Sequence, residues 1–183
     1  MYITGQCNKT ERLVMTALMI ALVIIGTIVL RIPVPMTHGY VHLGEAMVYL
    51  SVLILGKKNG SFVAAAGSAL ADVFGGFAAF APWTLLIKFG MAFAMGAILE
   101  FADRPHPQHA QGRSVNPLLV SVLAMTASGV LMCLGYFIAE TIMYGNHIAA
   151  LTEVPWNIGQ FSAGIILAAA INASLKKALS GHL

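Results

Sequence analysis

The sequence predicts an all-α fold: an integral membrane bundle of six transmembrane helices, both termini cytoplasmic, forming a single domain over residues 1–183. Three observations carry this expectation. Hydrophobic residues make up 58% of the chain and charged residues 9%, where a soluble domain carries roughly 25% charged residues. Mean hydropathy is +0.83. The apolar residues gather into long runs separated by short basic clusters, and that distribution of a net charge of +3 speaks for membrane orientation rather than for a nucleic-acid stripe. Cys7 and Cys133 lie too far apart in character and position to imply a disulfide framework.

The first helix is expected from Glu11 to Leu30. Its uncharged run from Leu13 exceeds the roughly 7 to 15 residues of a signal h-region, so it reads as a retained span. Arg31, Pro33 and Pro35 end it, because proline lacks the N–H that a continuing helix needs. Ala17 and Ala21 sit four apart on this helix, a spacing that lets another membrane helix approach closely.

Arg31 to Gly44 reads as a loop, and Glu45 to Leu55 as a second helix with Glu45 in its first turn, where the positive helix end favours a carboxylate. Even counted from Val41 this helix is only about 22 Å long against a core of roughly 30 Å. It must be tucked among neighbours. Lys57 to Gly60 reads as a tight basic turn, and Ser61 to Phe74 as a third helix whose many alanines imply close packing. Gly75 and Gly76 stop it.

Pro82 is placed to start the fourth helix as a first-turn proline, with Trp83 as an interfacial anchor, and the helix continues to about Phe101. Asp103 to Asn116 is a hydrophilic loop. The fifth helix spans Pro117 to Tyr144, a loop covers Gly145 to Val154, and the sixth helix runs from Pro155 to Lys177.

Lys9, Arg12, Lys57, Lys58, Arg104, Arg113, Lys176 and Lys177 then fall on one side, and Arg31 alone on the other. The positive-inside rule makes the first side cytoplasmic.

Four ionisable residues remain near the outer ends of the spans: Glu45, Asp72, Lys88 and Glu140. A charge near the bilayer centre costs roughly 2.5 to 3.5 kcal/mol, so each is a functional candidate by default. Asp72 and Lys88 have two readings, ligand contact or a mutual ion pair. Glu140 either faces the pocket or snorkels to the interface. On the fifth helix Gly129, Cys133, Tyr136, Glu140 and Tyr144 share a face with it, and on the sixth so do Asn157, Gln160, Gly164, Ala168 and Asn172. This is the composition of a small-molecule cup, apolar with a few placed polar groups. Trp156 is either an interface anchor or a stacking platform for a planar ring.

No metal or cofactor is expected. His38 and His42 are four apart, but Gly39 and the flanking prolines argue against a preformed helix, and His106 and His109 fall in a proline-containing loop. The chain lacks G-x-x-x-x-G-K-[ST], H-E-x-x-H and G-x-S-x-G, so it is expected neither to hydrolyse ATP nor to be an enzyme of those classes.

Three blocks then carry a resemblance: YVHLGEAMVYLSVLILG at Tyr40 to Gly56, GSALADVFGGFAAFAPWTLLIKFGMAFAMG at Gly67 to Gly96, and PWNIGQ at Pro155 to Gln160. Together they resemble the S components of energy-coupling factor (ECF) vitamin transporters, in the branch associated with hydroxymethylpyrimidine and pyridoxine. The resemblance implies a vitamin-binding subunit in a prokaryotic plasma membrane, partnered by the transmembrane coupling protein EcfT and two cytoplasmic ATPases. It nominates His42, Glu45, Asp72, Trp83, Lys88, Glu140, Tyr144, Trp156, Asn157 and Gln160 for substrate binding, and Ala17 and Ala21 for the coupling interface. Glu45 stands where the family pattern suggests aspartate. A stand-alone secondary carrier for a small heterocyclic metabolite is the rival reading, and pantothenate or riboflavin the rival substrates.

Overall fold

Asn8 opens the first helix with a reciprocal cap: its Oδ1 accepts from the Glu11 backbone N–H at 2.9 Å, while Glu11 Oε2 accepts from the Asn8 N–H at 3.0 Å. Two of the helix's orphan donors are thereby satisfied. The computed structural model describes residues 8–29, 31–33, 40–103 and 116–180. In chain order these form α1 (Lys9–Val29), β1 (Arg31–Pro33), β2 (Tyr40–His42), α2 (Glu45–Phe74), α3 (Ala81–Ala102), α4 (Pro117–Tyr144) and α5 (His147–Ser180).

The six-helix expectation is corrected on three points, while the helical membrane class holds. Among the described residues there are five helices, four of which are long and apolar enough to cross a membrane: α1, α3, α4 and α5. The segments expected as a second and a third helix belong to the single element α2, broken only at Gly56, whose φ of 81° and ψ of 176° are non-helical. A backbone of that kind is essentially restricted to glycine. The chain folds back there, since Ser51 Oγ donates to the Gly60 carbonyl at 3.1 Å, and a Cβ on Gly60 would lie 2.6 Å from Val52 Cα. Reversal at one glycine replaces the expected four-residue turn.

The second correction is a β-hairpin in the segment read as loop. β1 and β2 pair antiparallel, Arg31 with His42, Ile32 with Val41 and Pro33 with Tyr40. Third, α5 begins two turns before Pro155. Asn146 Oδ1 accepts from the Ile148 N–H at 2.9 Å and the Ala149 N–H at 3.3 Å, an N-cap that starts the helix and leaves Pro155 inside it. Elsewhere the expected boundaries hold: α4 spans Pro117–Tyr144, and Pro82 stands in the first turn of α3. Cys7, His38, Arg104, His106, His109 and Arg113 lie outside the described residues.

Packing follows from small residues at helix crossings. The inner face of α1 presents Met19, Val23 and Thr27 at four-residue spacing, and Gly67 on α2 sits against Val23, where a Cβ would come within 2.8 Å of its Cβ. A Cβ on Gly129 of α4 would meet the Phe161 ring of α5 at 2.5 Å, and one on Gly164 of α5 would meet Glu45 Cβ at 2.8 Å. Such approach lets van der Waals contact hold helices together where lipid removes the hydrophobic drive between them. Tyr49, Met91, Met95, Met125 and Met132 fill the core. Outside, Leu13, Leu86, Phe101, Leu123, Ile142 and Ile166 are exposed, an apolar coat suited to lipid and out of place in water.

At the Gly56 end, Lys57 pairs with Glu100 and lies 5.1 Å from the centre of the Phe93 ring. The opposite end, where the hairpin meets the α2–α3 and α4–α5 turns, holds the polar groups.

Candidate functional site

The site begins with the first limb of α2, Glu45 to Leu55, about 16 Å long and roughly half the length of α1. Its N-terminus therefore lies within the bundle, and β2 follows it in. A strand at that depth is tolerated only where its backbone is satisfied by protein. Here β1 pairs one edge, and the His42 N–H donates to Gln160 Oε1 on α5 at 3.0 Å.

Gln160 works in two directions, since its Nε2 also donates to Glu45 Oε2 at 3.1 Å. The same carboxylate oxygen accepts from Lys88 Nζ on α3, in an ion pair whose two side chains are both 0% exposed. Lys88 Nζ also lies 3.1 Å from Met132 Sδ on α4 and 5.6 Å from the centre of the Tyr136 ring. Four helices and the hairpin are thus tied by one buried network.

Above this network opens a cavity of about 480 Å³, mouth included. α1 contributes Thr27 and β2 contributes Tyr40 and His42; α2 adds Ser68 and Asp72; the following turn adds Phe77 and Phe80. Thr84 of α3, Tyr136 and Glu140 of α4, and Glu153, Asn157 and Gln160 of α5 complete the wall.

The structure sorts the nominated residues into three groups. His42, Asp72, Glu140, Asn157 and Gln160 line the cavity. Glu45 and Lys88 lie beside it, engaged with each other. Around it, Trp83 is half-buried, Trp156 is 42% exposed, and Tyr144 sets its ring edge-on to Phe80 at 6.4 Å. The alternative ion pair takes different partners from those expected: Lys88 pairs with Glu45, and Asp72 Oδ1 accepts from the Tyr40 hydroxyl. Ala17 and Ala21 lie on the exposed face of α1.

Sequence reasoning missed Thr27, Tyr40, Ser68, Phe77, Phe80, Thr84 and Glu153 as lining residues. Tyr40 carried no local signal, since the carboxylate it serves, Asp72, lies 32 positions along the chain. It is the hub of the mouth, its ring 4.5 Å from that of Phe77 and 5.7 Å from that of His42. The Arg31 guanidinium lies 4.4 Å from the Tyr40 ring centre and 5.0 Å from that of Phe77, and its Nη1 donates to the Gly75 carbonyl at 3.0 Å. Burial, then the Asp72 charge, pushes the Tyr40 hydroxyl well above its usual range, so it stays a donor. His42 moves the other way: burial, then the positive charges of Lys88 and Arg31, keep its ring neutral. Its Nδ1 is 3.5 Å from Thr27 Oγ1. Among the described residues no group of three or more His, Cys, Asp and Glu is disposed to hold a metal.

The sequence model of the family described as "ECF-type riboflavin transporter, S component" matches residues 7–177. The chain belongs to the ECF S-component family. S components are the membrane-embedded vitamin-binding subunits of ECF transporters and work with EcfT and ATPase modules, so this S component is a transport subunit and not an enzyme. A Pyrococcus woesei protein described as "Uncharacterized protein in gap 3'region" is 30% identical over 155 residues, covering 85% of this chain and 95% of that protein. The solved structure reported under "Structure and mechanism of the S component of a bacterial ECF transporter" superposes with a TM-score of 0.67 over 94% of this S component and 99% of that chain, at 16% identity. That likeness speaks for the fold alone.

Proposed function

We propose that this S component captures a hydroxymethylpyrimidine- or pyridoxine-like vitamin from outside a prokaryotic cell and delivers it through EcfT, energised by two ATPases. The observation that carries the reading is the cavity itself, walled by aromatic rings and by hydroxyl, amide and carboxylate groups from every helix and from the hairpin. A ring with hydroxymethyl and ring-nitrogen groups matches that lining. His42, Asp72, Glu140, Asn157 and Gln160 contact the vitamin, and Glu45 and Lys88 hold the wall in place. Trp83, Tyr144 and Trp156 surround the entrance. The eight-to-one distribution of basic residues supports cytoplasmic termini, which puts the hairpin end outside. Ala17 and Ala21, small and exposed on α1, supply the docking face for EcfT.

The test is mass spectrometry of ligand released from protein purified without added substrate, followed by uptake assays with and without the partner module. A pyrimidine or pyridine vitamin, with uptake only when the module is present, is the expected result. A flavin or pantothenate, or accumulation against a gradient by the isolated chain, would sink the proposal.

A further inference from the structure

Resting on that reading, we propose that the vitamin carries an amino group or a positive charge, gripped through its N–H donors by Asp72 and Glu140, and that anionic analogues are rejected. Asp72 and Glu140 are each only 4% exposed and both line the cavity. Asp72 Oδ2 and Glu140 Oε2 are buried without a hydrogen-bond partner, and so is Ser68 Oγ, in a side chain 2% exposed on the same wall. Carboxylate oxygens only accept. Leaving buried acceptors unmet is costly, and the cost is recovered when a ligand supplies the missing donors.

The protein's own cations do not do this. Lys88 is bound to Glu45 and Met132, and Arg31 is held over Tyr40 and Phe77 with Nη1 on the Gly75 carbonyl and its Nε and Nη2 buried without an acceptor. Among the described residues no lysine or arginine lines the cavity, while Glu153 adds a third carboxylate to it. A ligand carboxylate placed there brings acceptors to acceptors, whereas an amine supplies the missing donors and, if charged, is attracted by the aromatic faces. The lining therefore selects by hydrogen-bond chemistry as well as by shape.

The experiment uses three compounds that share one ring and differ at one substituent: pyridoxamine (aminomethyl), pyridoxine (hydroxymethyl) and 4-pyridoxic acid (carboxylate). Titration calorimetry on the full chain in nanodiscs is expected to rank them in that order, each step being roughly tenfold or more, as charge-assisted hydrogen bonds imply. A carboxylate analogue binding as well as the amine overturns the proposal. Glu140→Gln and Asp72→Asn, each first checked for an unchanged thermal transition, should narrow the spread; a spread unchanged in both removes these residues from the assignment. If none of the three binds, the ligand carried through purification decides, and an anion or a molecule without N–H donors overturns the proposal. Identification of a cationic amine that is not a vitamin would instead end the vitamin reading and leave the charge assignment standing.

Discussion

Glu45 at the start of α2 and Lys88 two turns into α3 form an ion pair sealed from solvent on every side. Breaking such a pair on one side strands a charge, which typically costs about 3 to 5 kcal/mol, whereas removing both charges is far milder. Lys88→Met is therefore expected to lower the thermal transition sharply and to abolish binding with it. The double variant Glu45→Gln with Lys88→Met should recover most of the stability. Equal loss in the single and double variants, measured by unfolding in detergent, would contradict this account.

Gly56 offers a second test. Its φ of 81° strains any residue with a Cβ, so Gly56→Ala is expected to destabilise by about 1 to 3 kcal/mol. Because the reversal lies at the far end from the cavity, the folded fraction should keep its ligand affinity. Unfolding scans and calorimetry on the same preparation separate the two effects.

On α1, Ala17→Trp should leave ligand affinity intact and abolish module-dependent uptake, because the bulky ring stands on an exposed face and blocks helix approach. Normal uptake would remove α1 from the coupling interface.

Acid should loosen the hairpin. The folded state holds His42 neutral, burial being the main cause, whereas in the unfolded chain the ring titrates near its usual value of about 6.5. Below that value the unfolded state binds the extra proton, so stability falls as pH drops from about 6.5 toward the lower folded pKa, and is fully present above 6.5. His42→Gln should flatten the slope of the transition temperature between pH 5 and 7. An unchanged slope would assign the effect elsewhere.

How legible was all this in the sequence? Helix ends marked by local chemistry were read correctly, as with Pro117 and Tyr144 at the two ends of α4. Pro155 misled because a first-turn proline and an interior proline look alike until the Asn146 cap is seen two turns upstream. The hairpin was hidden by the prolines flanking it, although Pro33 is tolerated at the end of a short strand. Charged residues announced themselves by the cost of burying them, but their partners did not. Glu45 and Lys88 are 43 positions apart, and nothing local distinguishes that match from Asp72 with Lys88. Tyr40 escaped notice as Asp72's partner for the same reason.

The amide of Gln160 carries one more implication, for biogenesis. It joins His42 across 118 positions and Glu45 across 115, so a ribosome must have made α5 before either bond can form. Until α5 is threaded into the bilayer, β2 lacks its acceptor on that helix and the cup has no closing wall. Assembly of the binding site thus waits on α5, and a chain stalled before that helix lacks the wall that would hold cargo.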